Sequence, residues 1–194
     1  MSGGYSLVLT SLAIMGSPGP ATISLTAAGS AYGIQRSIGY LLGIIAGTIM
    51  VLAVVATGIT ATLLAIPALR SALIAVSAAY LLWLAYHIAT APPLSRTSAD
   101  APTLRGGALL GVANPKAWVA IGAVFAGTRL SSAAAADAVA KVAILSVMIV
   151  LINGAWLLVG ASVAPLLRQP RAARIVNVAL ALALVAATGL GLVH

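Results

Sequence analysis

GGALLGVANPKAWVAIGAVFAG, residues 106–127, is an apolar run with a single charge, Lys116, near its middle. Its length matches a helix crossing a hydrocarbon core of about 30 Å. At about 1.5 Å per residue, Lys116 falls roughly 15 Å from either end, close to the bilayer midplane. The lysine stem reaches only ~6 Å, too short to bring the ammonium to the interface. A charge there is costly in lipid and needs a partner in the protein, a watery cavity or a ligand. Pro115 beside it breaks the backbone hydrogen-bond ladder. A broken helix with an ion at mid-depth is a common construction for a solute pathway.

The rest of the chain agrees with a membrane setting. Of its 194 residues, 62% are hydrophobic and 6% charged, against about a quarter charged in a soluble domain. Six apolar segments cover residues 5–31, 38–66, 69–91, 106–127, 138–164 and 174–193. The fold class expected is an all-α polytopic membrane protein with six transmembrane helices. Ten-residue alternating segments, the signature of a membrane barrel, are absent from the sequence. The net charge of +8 comes from basic residues scattered over short loops, with no patch and little aromatic interleaving. That pattern is a topology signal and argues against nucleic acid. There is no cysteine, so disulfides and thiolate metal sites are excluded. No Lys or Arg precedes the first segment, which therefore reads as a retained span and not a cleaved signal.

The two halves echo one another. Ser17-Pro18 in the first segment matches Asn114-Pro115 in the fourth, 97 positions later. Pro67-Ala68-Leu69-Arg70 matches Pro165-Leu166-Leu167-Arg168, 98 positions later. The expectation is one membrane domain, 1–194, made of two inverted three-helix repeats, 1–91 and 105–194, joined by a polar loop at 92–104. An odd number of spans per unit reverses the second copy, so the two proline breaks would meet near the midplane. Arg36, Arg96, Arg105, Arg168, Arg171 and Arg174 lie on one set of loops, and Arg70, Arg129 and Lys141 on the other. The larger set is expected in the cytoplasm, which puts both termini on the outer face.

Candidate pathway residues follow from the breaks. Ser17-Pro18-Gly19-Pro20 holds two prolines around a glycine, where freed carbonyls need new donors. Lys116 either grips a substrate carboxylate, braces carbonyls freed by the opposite break, or relays a proton when neutral. Asn153, mid-span with Trp156 one turn on, either bonds across helices or touches substrate, the former being the safer reading. Tyr80 is a weaker candidate for lining the pathway. Asp137 and Lys141, four residues apart, read as a helix-start pair on a solvated end. Gly29, Gly33, Gly39, Gly43 and Gly47 contain Gly-x-x-x-Gly spacings that suit either packing within the chain or a homo-oligomer seam.

These motifs, taken in order, resemble the lysine exporter (LysE/RhtB-type) amino-acid efflux superfamily. Ser17-Pro18-Gly19-Pro20 corresponds to its Pro-Gly-Pro motif, followed by the glycine series. Ala78-Ala79-Tyr80-Leu81-Leu82-Trp83-Leu84 corresponds to its aromatic-rich third span, and Asn114-Pro115-Lys116 to its Asn-Pro-Lys motif. The resemblance implies export of small amino acids or related amines across the bacterial inner membrane, driven by an ion gradient, with no cofactor and no enzymatic step. One departure stands out: many members carry an acidic residue in the fifth span, where this chain has Asn153. Its only acidic residues are Asp100 and Asp137. Export of another solute and a non-transporting membrane scaffold remain as alternatives. A metal-cation carrier lacks its carboxylates and thiolates, and an intramembrane enzyme lacks any recognisable catalytic motif.

Overall fold

A computed structural model describes residues 2–58 and 101–163, with isolated positions between 68 and 90 and between 174 and 185. The described residues are all-α. Five helices follow one another: α1 (Ser2–Ile14), α2 (Pro20–Ala56), α3 (Leu104–Ala113), α4 (Pro115–Ala126) and α5 (Ala134–Val163). Tyr80, the polar stretch 92–100 and both Pro-x-Leu-Arg elements lie outside the described residues, apart from Ala68. The six-span, two-repeat arrangement likewise extends beyond them.

Helix α2 is two helices meeting at a corner. Gly33 has φ 74° and ψ 173°, a conformation open in practice to glycine alone. In a straight helix, residues nine and sixteen apart are separated by about 13 and 24 Å. Here Ser37 Oγ donates to the Ala28 carbonyl at 3.1 Å, and Tyr40 Oη donates to Ser24 Oγ at 3.1 Å. The chain therefore folds back at Gly33, between limb 20–32 and limb 34–56. The second limb rises about 34 Å, enough to cross alone. The sequence placed a loop from 32 to 37 around Gln35-Arg36; one glycine makes the turn instead.

Helices α3 and α4 are both apolar and bend by 57° from one to the next at Asn114. Helix α5 is long and apolar enough to cross by itself, and begins four residues before the expected boundary. Large apolar side chains face outward along it, Val147, Leu151 and Leu158 each more than half exposed. Such a face is stable only against lipid or other protein.

Two glycine interfaces hold the bundle. A Cβ on Gly43 would lie 2.1 Å from the Leu104 carbonyl oxygen, and one on Gly107 2.2 Å from that of Tyr40. Gly47 and Gly111 repeat the pattern one turn further on. Limb 34–56 and α3 are thus in backbone contact along facing Gly-x-x-x-Gly faces. On the other side, Gly29 meets the Leu157 carbonyl and Gly160 that of Thr26, which seats limb 20–32 on α5. Gly43 and Gly47 are therefore packing residues inside the chain. Gly33 has open space around it and serves the turn.

The Asp137–Lys141 pair departs from its sequence reading. Lys141 is buried, donates to Asp137 at 2.7 Å and to the Phe125 carbonyl at 2.9 Å, and lies 4.9 Å from the Phe125 ring centroid. Asp137 also accepts from the Leu130 and Ser131 amides at 2.5 and 3.0 Å. The pair clamps the α4–α5 loop onto α4, because the charges point back under the loop and away from solvent.

The glycine interfaces yield a graded expectation. Gly43→Ala and Gly107→Ala each drive a methyl into a backbone carbonyl, at a cost of roughly 1–3 kcal/mol. Gly122, with no neighbour within 4 Å of a built Cβ, is the control; Ala there should be neutral or stabilise by up to about 1 kcal/mol. Melting of the purified variants in detergent should rank Gly122→Ala at or above the wild type and the other two below it.

Candidate functional site

The first break runs from Met15 to Gly19. Helix α1 closes with the Met15 and Gly16 amides both on the Ser11 carbonyl, at 2.8 and 3.2 Å. Pro18 and Pro20 have no N–H, so carbonyls before them lose their helical donors. Helix α2 restarts with Gly19 extended at the N-cap and Pro20 at the first helical position. Thr22 Oγ1 accepts from the Gly19 amide at 2.8 Å.

The second break is at Asn114. Its Oδ1 accepts from the Lys116 amide at 3.1 Å, and Pro115 opens α4. That turns the Lys116 amide away from the Val112 carbonyl, which would be its helical acceptor. Trp118 Nε1 donates to the Val112 oxygen at 2.7 Å and replaces it. By helix start, Gly19-Pro20 is the counterpart of Asn114-Pro115, a slightly different register from the Ser17-Pro18 pairing seen in sequence.

Lys116 joins the two breaks. Its Nζ donates to the Ser17 carbonyl oxygen, to Ser17 Oγ at 2.8 Å and to the Pro18 carbonyl oxygen at 3.2 Å. An ammonium has three N–H donors, and all three are committed. Gly19 makes room for it: a Cβ there would lie 2.5 Å from Lys116 Cδ. The remaining freed carbonyl, Gly16, accepts from Trp156 Nε1 at 3.1 Å. The Ser17, Pro18 and Gly16 carbonyls thus have donors drawn from other helices, and the Ile14 carbonyl accepts from Ser17 Oγ at 2.8 Å.

Between the breaks lies a partly open cavity of about 50 Å³. The first break contributes Met15, Gly19, Ala21 and Thr22, and limb 34–56 contributes Thr48. Helix α4 and its cap contribute Asn114, Lys116 and Ile121, and α5 contributes Ile149, Ile152 and Asn153. Asn153 donates its Nδ2 to the Ile149 carbonyl of its own helix at 2.8 Å and makes no bond across helices among the described residues. Ile149 oxygen only accepts, so the facing atom is the nitrogen, and Asn153 Oδ1 has no partner among the described residues. The same holds for Asn114 Nδ2 and the Thr48 hydroxyl. These three side chains are 7%, 5% and 7% exposed. No group of three His, Cys, Asp or Glu that could hold a metal occurs among the described residues.

Residues 12–194 match the model of the LysE type translocator family. The chain belongs to that family. It is accordingly a polytopic membrane protein and a translocator, not an enzyme, and family membership implies export of amino acids or similar small solutes. No curated protein and no solved structure shows significant similarity to the chain.

Of the residues singled out in sequence, Ser17, Pro18, Gly19, Pro20, Asn114, Pro115 and Lys116 come together at the two breaks, and Asn153 lines the same cavity. Three others went unnoticed as site residues. Thr48 was visible as a lone hydroxyl in an apolar run. Trp118 and Trp156 lie within one turn of Lys116 and Asn153, but nothing in the sequence says which carbonyls their indoles would meet.

Loss of the Lys116 ammonium strips donors from Ser17 and Pro18 together, at about 1–3 kcal/mol for each acceptor left buried. Lys116→Met is therefore expected to melt well below the wild type in detergent. Lys116→Arg should recover little, because a planar guanidinium fork does not direct three donors at Ser17 and Pro18 as a compact ammonium does. Wild-type melting of Lys116→Met would remove the bracing role.

Proposed function

We propose that this translocator is a secondary exporter of small amino acids, working by alternating access around the cavity between its two helix breaks. The observation that carries the reading is the cavity itself: two proline-opened helix starts face it, and three buried polar side chains there have atoms with no partner among the described residues. Buried polar groups left unpaired cost stability, so a protein that keeps them gains something when a solute supplies the missing bonds.

The same proposal includes six spans in two inverted repeats, 1–91 and 105–194, in the inner membrane with both termini outside. Supporting it, the two described breaks share one construction: a helix, an extended or capped residue, and a proline-started half-helix. Alternating access would rock one repeat against the other, which stretches the Lys116 bonds to Ser17 and Pro18. Lys116 is thereby a latch between halves, bracing the first break in the conformation described. An ion gradient is the proposed driving force. Asp100 and Asp137 are the only acidic residues, so any coupling through a side-chain carboxylate would fall to one of them. The facing glycines pack within the chain and lend no support to a homo-oligomer seam.

Cells lacking their own efflux systems and fed a dipeptide should hold smaller internal amino-acid pools when they express the chain. Thr48→Val keeps volume and removes only an uncommitted hydroxyl; Asn153→Leu keeps volume and also removes the Nδ2 bond to the Ile149 carbonyl, which retains its helical amide donor, so both proteins should fold. Each should lower efflux by about ten-fold if it removes one substrate bond of about 1.4 kcal/mol. Unchanged pools on expression of the wild type would refute export.

A further inference from the structure

Resting on the export reading, we infer that the solute is a neutral amino acid with a small aliphatic side chain, and that basic amino acids are excluded. The cavity's free hydrogen-bonding groups sort by type. At the start of α2, the Ala21 and Thr22 amides have no acceptor among the described residues, since Gly19 offers no side-chain cap. Helix α4 differs, because Asn114 caps its first free amide. Two free amides at a helix start suit a carboxylate, and Asn114 Nδ2 adds a third donor from the facing wall. The free acceptors are Asn153 Oδ1 and the Thr48 hydroxyl oxygen. Both are neutral, and together they suit one ammonium.

Charge then decides between solutes. A zwitterion carries its own counter-charge and enters with no net charge. A lysine or arginine brings one more cation into a cavity whose wall already holds the Lys116 ammonium. No carboxylate lines the cavity among the described residues, and Asp137, one of the two acidic residues in the sequence, is bound to Lys141 and the α4–α5 loop. An acidic amino acid would find donors for one carboxylate, but its second would displace Ser17 and Pro18 from Lys116 and open the brace. The rest of the wall is apolar, with Met15, Ile121, Ile149 and Ile152, which fits an aliphatic side chain.

The test is counterflow in proteoliposomes of the full chain, with L-valine, L-alanine, L-lysine and L-glutamate as separate probes. Valine and alanine should exchange, and lysine and glutamate should exchange about ten-fold less or worse, one unpaired charge being worth at least that factor. Lysine exchange at the level of valine overturns this inference and leaves the export reading standing. Exchange of none of the four overturns the export reading, and this inference with it. Asn153→Asp places a carboxylate where the ammonium is assigned, so its lysine-to-valine ratio should rise about ten-fold. An unchanged ratio in folded Asn153→Asp removes the assignment of the ammonium to Asn153. If that variant does not fold, the wild-type panel alone decides.

Discussion

The bond set between the Lys116 ammonium and the Ser17–Pro18 backbone is the interaction on which the centre of this protein depends. Two energetic problems solve each other there. Prolines at 18 and 20 leave carbonyls without helical donors at membrane depth, and a lysine at 116 leaves a cation without water. Either alone would be costly in lipid. Together they give a cation with three oxygens around it and two helix breaks held side by side. Gly19 is part of the same solution, since any side chain there would occupy the space of the lysine stem.

Backbone-close packing puts the breaks within reach of one another. Facing glycines bring limb 34–56 against α3, and Gly29 and Gly160 bring limb 20–32 against α5. Lipid tails are as apolar as leucine, so such helices associate through close contact and polar bonds more than through hydrophobic burial. The corner at Gly33 lets one continuous stretch serve both interfaces. A consequence is that Thr48, Asn114 and Asn153, from three different helices, converge on one cavity. The indoles of Trp118 and Trp156 close the backbone account around that cavity, each answering a carbonyl that a break set free.

Local features were readable in the sequence because their physics is local. A proline removes its own N–H wherever it stands, so both breaks were visible, as was the oddity of a lysine in an apolar run. Gly33 was harder. Five glycines in a spaced series look alike, and only the backbone dihedral separates the one that turns from those that pack. The Asp137–Lys141 pair was recognised by its spacing but misplaced in depth, since spacing carries no information about which way a helix face points.

The sequence by itself determined that the chain is a helical membrane protein, that its helices are broken at Ser17–Pro20 and Asn114–Pro115, and that a charge stands beside the second break. These follow from composition, from proline chemistry and from the cost of ions in lipid. Tertiary structure alone decided the partner of that charge. Substrate, water and freed carbonyls were all chemically acceptable to Lys116, and the choice turned on where a segment 99 residues away comes to rest. That position is fixed by glycine contacts between backbones. Such contacts are properties of two helices at once, and no single stretch of sequence contains them.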